Sequence, residues 1–160
     1  FDVITNASPL SAWSIIADKS GVPSLSLVQR ISTERVLSIQ IRMNDAAFGL
    51  RFVLRFDKAL ANRQRLSVFL AEGGPGVHLV LGTSRIELTP TTAWQRLEDA
   101  TSIVFARDFT APTSVITNVR AAPSIEVRAD LHPAYRDVTL DTELSRVGLQ
   151  EGLALLTRVR

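Results

Sequence analysis

Hydrophobic and polar residues alternate with a period of two along most of the chain. In 36–43, Leu37, Ile39, Ile41 and Met43 fall on one side and Ser38, Gln40 and Arg42 on the other. Successive side chains of a strand point to opposite faces, so this is the pattern of a strand with one face in a core and one in water. Segment 50–56 repeats it, with Leu50, Phe52, Leu54 and Phe56 inward and Arg51, Val53 and Arg55 outward. The run 24–31 sets Leu25 and Leu27 together, and the short Ser32-Thr33-Glu34 link predicts a hairpin between it and the next strand. Further strands are predicted over 65–70, 77–81, 85–88, 101–105, 124–129 and 137–144, the first two flanking a Gly73-Gly74-Pro75-Gly76 turn. About eight short strands at this spacing predict a mainly β fold, an antiparallel β-sandwich.

Two stretches depart from period two. Segment 145–159 carries Val147, Leu149, Leu153, Leu155, Leu156 and Val159 at helical spacing, with Ser145 placed as an N-cap. It predicts a short C-terminal helix, weakened by Gly148 and Gly152 at about 1 kcal/mol each relative to Ala. Segment 108–119 is expected to hold one or two helical turns despite Pro112, and 95–99 reads as a polar connection. There is no repeat, low-complexity tract or linker, which predicts one domain over 1–160.

Composition narrows the function. A chain of 160 residues with 46% hydrophobic and 21% charged residues can bury a core without a disulfide or metal staple. With no cysteine, a disulfide framework, a thiolate zinc site and a cysteine nucleophile are excluded. No stretch reaches the ~18 to 20 apolar residues of a transmembrane helix. The only methionine is Met43 and the numbering opens at Phe1, which implies a removed leader and predicts a periplasmic or secreted protein. Of the 18 Lys and Arg residues only Lys19 and Lys58 are lysine. Arginine suits carboxylates, yet these arginines are interleaved with 16 acidic residues and form no nucleic-acid stripe.

No catalytic constellation, cofactor fingerprint or metal-ligand spacing emerges. His78 and His132 are far apart and read as a sheet residue and a loop residue. In Gly73-Gly74-Pro75-Gly76, Pro75 removes a backbone donor and a strand follows, so the cluster is a turn rather than a phosphate cradle. Asp141-Thr142-Glu143 lacks the small residues and second carboxylate of an aspartic-protease site, and no Gly-x-Ser-x-Gly elbow occurs. Asn6-Ala7-Ser8 fits a glycosylation acceptor, relevant only in a eukaryotic secretory setting. Trp13 reads as a core anchor and Trp94, in a polar neighbourhood, as a contact residue. Gln40, Arg42, Arg51 and Arg55 project from consecutive strands as a polar, basic sheet face suited to an acidic protein or a lipid headgroup. Arg42, Arg51, Arg55 and Trp94 are therefore the candidate partner-binding residues.

Several segments, taken in order, resemble the invasion-associated locus B family of exported bacterial proteins. Ala12-Trp13-Ser14-Ile15-Ile16 resembles its opening Trp strand, Leu27-Val28-Gln29-Arg30 its second strand, and 36–43 the hydrophobic strand that follows. The stretch from Phe56-Asp57-Lys58-Ala59-Leu60 through Arg65-Leu66-Ser67-Val68 to Glu72-Gly73 resembles a Leu…Leu…Gly segment. Ile103-Val104-Phe105-Ala106-Arg107-Asp108-Phe109 resembles the late apolar strand entering an Asp-aromatic turn, and 147–156 the closing short helix. The family carries paired cysteines and this chain has none. The resemblance implies a periplasmic or secreted β-sandwich without a catalytic site, and it transfers no functional residue.

The expected function is an exported, non-enzymatic interaction domain with a protein partner, acidic or membrane-associated, serving as an accessory subunit of a cell-envelope or membrane-bound assembly. Two other readings fit the same pattern. One is a carbohydrate- or lipid-binding sandwich using Trp94; the other is a jelly-roll subunit of a virus or phage.

Overall fold

A computed structural model of the chain describes residues 12–17, 21–43, 47–71 and 74–158. The Asn6-Ala7-Ser8 triplet, Gly73 and Val159 lie outside the described residues. The protein is mainly β, with antiparallel sheets of seven and four strands and a short C-terminal helix, in agreement with the sandwich read from the sequence.

The large sheet is built from β1 (Ser14–Ala17), β2 (Pro23–Arg30), β3 (Arg35–Met43), β4 (Ala47–Asp57) and β9 (Ser102–Pro112), paired in that order. The alternating segments become β2, β3 and β4, and the Ser32-Thr33-Glu34 link closes the β2–β3 hairpin, with Ile31 N–H donating to Arg35 O at 3.1 Å. Leu37, Ile39, Ile41, Phe52, Leu54 and Phe56, the expected core, are all buried. Strand β9 runs well past the predicted 101–105 because all of β4 pairs with it, from Ala47 opposite Pro112 to Asp57 opposite Ser102. That ladder holds 108–112 extended where helical turns were expected; the helix, α2 (Val115–Ala121), begins only after Pro112.

Along its other edge β9 is shared by two short strands, β7 (Thr89–Pro90) and β8 (Gln95–Glu98). The polar connection expected at 95–99 is therefore mostly strand. Asp99 turns the chain from β8 into β9, its Oδ1 accepting from Thr101 N at 2.8 Å and Ser102 N at 2.7 Å.

The small sheet has the order β11 (Thr142–Glu143), β10 (Ile125–Ala129), β5 (Val77–Leu81), β6 (Ser84–Glu87). A two-residue turn with Gly82 at φ +65° joins β5 to β6. The strand predicted over 137–144 is reduced to the two residues of β11. It is preceded by a 3-10 helix, Pro133–Val138, whose start is fixed by Pro133 and by His132 Nδ1 accepting from Ala134 N at 3.1 Å.

The strand predicted over 65–70 is instead α1 (Arg63–Leu66) followed by a 3-10 turn, Ser67–Phe69. Asn62 caps it, accepting from Gln64 N at 3.2 Å, so Gly74-Pro75-Gly76 follows a helical turn and leads into β5 rather than closing a hairpin. The C-terminal helix α3 (Leu149–Arg158) packs on β1, β2 and β3 through buried Leu149, Leu153 and Leu156. It starts four residues after Ser145, which is no N-cap: its hydroxyl accepts from Val147 N at 3.2 Å, and Val147 is 66% exposed. Trp13 is the core anchor the sequence predicted, its indole Nε1 donating to Ser145 O at 2.6 Å.

Candidate functional site

The candidate arginines share a sheet face. Register places Ser26, Gln40, Arg51 and Asp108 in one cross-strand row, and Arg30, Val36, Arg55, Val104 and Leu97 in another. Alternation puts both rows on the side away from the core that holds Phe52 and Leu54. Arg42 lies on the same side, beside Gly49 and Thr110.

This face is less simply solvated than its sequence implies. Gln40, expected outward and wet, is 1% exposed. Val53, also expected outward, joins Val104 and Ala106 in a second buried apolar cluster. Arg51 forms a two-bond fork with Asp108, Nε to Oδ1 at 2.7 Å and Nη2 to Oδ2 at 3.1 Å. Arg55 and Arg30 bond neutral acceptors: Arg55 Nε donates to Ser102 Oγ at 2.8 Å, and Arg30 Nη1 donates to Ser32 O at 3.3 Å and Thr33 O at 3.2 Å.

Trp94 is not on a contact surface. It is 4% exposed, packs edge-on against Phe69 at 5.1 Å between ring centres, and donates from Nε1 to Pro75 O at 2.8 Å. The polar residues around it in sequence lie on the surface while the indole turns into the core. Gly74 is the reason the turn fits: its φ is +82°, and a Cβ there would collide with Phe69 O and the Trp94 ring.

The outer side of the small sheet carries a cluster that sequence reasoning missed. His78, a sheet residue as its sequence implied, lies on β5 and is 7% exposed, and its Nδ1 lies 2.6 Å from Asp130 Oδ1 just after β10. Arg85 on β6 reaches the same Asp130 oxygen at 3.3 Å and pairs with Glu87, holding that carboxyl below the usual carboxylate range. His78 and Asp130 are 52 residues apart, and only the antiparallel β5–β10 register brings them together. The carboxylate fixes the imidazole's orientation, but no Ser or Thr hydroxyl contacts His78 among the described residues. Nor does any group of three or more His, Asp and Glu among them have the geometry to hold a metal. His132, the other histidine, serves as a helix cap.

Space for a ligand exists at the surface rather than in the core. The apolar cavity between the sheets and α3 measures about 20 Å³, room for roughly one water-sized group. A groove of about 250 Å³ opens between α1 and β8, lined by Arg63, Leu66, Leu70, Arg96, Ile103 and Phe105. Another of about 270 Å³ lies on the outer side of the small sheet, where Arg128 pairs with Glu126 at 2.6 Å and Asp141 Oδ1 accepts from Ala129 N at 2.7 Å.

Comparisons of the chain with protein-family models, with curated proteins and with solved structures return no match.

Proposed function

We propose that the chain is an exported protein-interaction domain, an accessory subunit of a cell-envelope or membrane-bound assembly, which docks an acidic partner on the outer face of its large sheet. The exported setting rests on the resemblance of its strand and helix segments to the invasion-associated locus B family.

The observation that carries the docking is the row Arg30, Val36, Arg55, Val104 and Leu97 across five strands. Its cations Arg30 and Arg55 flank buried Val36, and beyond buried Val104 its edge residue Leu97 is 50% exposed. Arg30 and Arg55 stand two strands apart, about 10 Å, on a hydrogen-bonded ladder. Among the described residues their hydrogen bonds go to neutral acceptors, and neither guanidinium is in a contact pair with a carboxylate. Arginine presents a planar fork to a carboxylate, and a rigid sheet sets the spacing before the partner arrives. Arg51 has its fork filled by Asp108 and acts as part of the scaffold beside this row. Arg42, farther along the face, extends the positive field that steers an acidic surface in.

The test is capture of a partner from native envelope extract by the wild-type protein and by an Arg30→Glu/Arg55→Glu variant, at about 50 and 300 mM salt. A specific partner is expected to be retained by the wild type at low salt, and lost both at high salt and with the variant, whose circular dichroism stays native. Retention that ignores both changes overturns the proposal.

A further inference from the structure

The strands of a sandwich normally turn apolar side chains toward the layer opposite. Strand β8 does not: opposite Phe105 and Ile103 of β9 it sets Arg96 and Glu98. Leu66, Ile103 and Phe105 are nonetheless buried, and over them a groove of about 250 Å³ opens against α1 with half-exposed Leu70 at its rim.

Charge in this groove is unbalanced. Three cations converge on one carboxylate: Lys58 Nζ, Arg63 Nη2 and Arg96 Nη2 lie 2.9, 2.8 and 2.9 Å from Glu98 oxygens. The neighbouring Asp99 directs an oxygen to the backbone N–H groups of Thr101 and Ser102. Arg63 and Arg96 both line the groove and are each more than a third exposed, with donors in excess of what one carboxylate can accept. We propose that this groove binds a short-chain carboxylate, its head group bridging Arg63 and Arg96 and its chain lying along Leu70 toward Leu66, Ile103 and Phe105.

The groove of about 250 Å³ has room for a short chain, and a six-carbon acid is a probe of that class. A ligand that small, in an open groove, is expected to bind with a dissociation constant of about 1 mM. The site is independent of the docking row, since Arg30 and Arg55 take no part in it.

Hexanoate is the probe, titrated against the chain and followed by the methyl resonances of Leu66, Leu70 and Ile103, with hexanol and hexylammonium as matched controls. Saturable shifts confined to these methyls are expected with hexanoate, at least tenfold weaker with either control. They should also be at least tenfold weaker in an Arg63→Gln/Arg96→Gln variant and unchanged in the Arg30→Glu/Arg55→Glu variant. No shift, shifts scattered over the surface, or hexanol binding as tightly as hexanoate overturns the proposal. The comparison with hexanol in the wild-type protein decides the matter even if the double glutamine variant fails to fold.

Discussion

The carbonyl of buried Pro75 accepts two hydrogen bonds, from Trp94 Nε1 at 2.8 Å and from Arg107 Nη1 at 2.7 Å. Arg107 stands on the core-facing side of β9, between Phe105 and Phe109, a position where a charge is costly. Among the described residues no carboxylate contacts it: Nε donates to Thr92 O at 2.8 Å and the guanidinium lies 5.4 Å from the centre of the Phe109 ring. Because one acceptor serves both donors, losing either leaves the carbonyl satisfied and losing both strands it. Trp94→Phe and Arg107→Met are each expected to cost about 1–2 kcal/mol, and the double variant about 1 kcal/mol more than their sum. Urea denaturation of the four proteins measures this, and strict additivity would show that the shared carbonyl does not couple them. At this scale the sequence is readable only where a residue's partners are near it in pattern. Trp13 leads an apolar strand and is a core residue; Trp94 sits among threonines and Gln95, and nothing local reveals that Phe69 receives it. The His78–Asp130 pair was hidden in the same way, by a separation that only strand pairing closes.

Among the elements, α3 shows how packing overrides propensity. Gly152 lies mid-helix, where Ala would be favoured by about 1 kcal/mol. The helix, however, rests on β2 so closely that a Cβ at Gly152 would collide with Leu25 Cδ1 and approach Cδ2 and Cγ to 3.2 and 3.3 Å. Leu25 is fully buried and has nowhere to go, so overpacking, about 1–3 kcal/mol, outweighs the gain in propensity. Gly152→Ala is therefore expected to lower the urea midpoint with an unchanged slope; a raised midpoint would mean that the helix is not seated on β2. The spacing of Leu149, Leu153 and Leu156 was legible because ten helical residues give several turns of evidence. The stretch 65–70 was not. Leu66, Val68 and Leu70 fit a strand as well as Leu66 and Phe69 fit one helical turn, and the Asn62 cap together with burial of Phe69 decides for the helix. Strand β8 escaped notice because all four of its residues are exposed, leaving no apolar alternation to read.

Over the whole molecule, a formal net charge of +2 conceals a surface of local pairs, and the way those pairs are made determines how the fold responds to acid. Among the described residues four carboxyls are held below their usual range: Glu87 by Arg85, Glu98 by Lys58 and Arg63, Asp137 by Arg65, and Asp99 by the backbone N–H groups of Thr101 and Ser102. A carboxyl with a depressed value in the folded state stabilises the fold above its unfolded value, about 3.9 for Asp and 4.3 for Glu, and that contribution is lost as pH falls through the folded value. Stability is thus expected to be flat from about pH 7 to 5 and to decline below about pH 4. Three of the four carboxyls owe their depression first to hydrogen bonds from Arg and Lys side chains, charge-assisted contacts that 1 M salt, with a Debye length of about 3 Å, weakens. Asp99 owes its depression to hydrogen bonds within the turn between β8 and β9, which salt does not screen. Urea midpoints measured from pH 7 to 2 at low and high salt separate the two causes. High salt should flatten most of the acid decline in the wild type and leave a residue that disappears in Asp99→Asn. A decline that salt does not alter would mean that the arginine pairs contribute nothing to it. These pairings join Arg65 to Asp137 and Lys58 to Glu98, and they follow from the sheet and helix packing, so composition gave the sum of charges while the fold determined which of them meet.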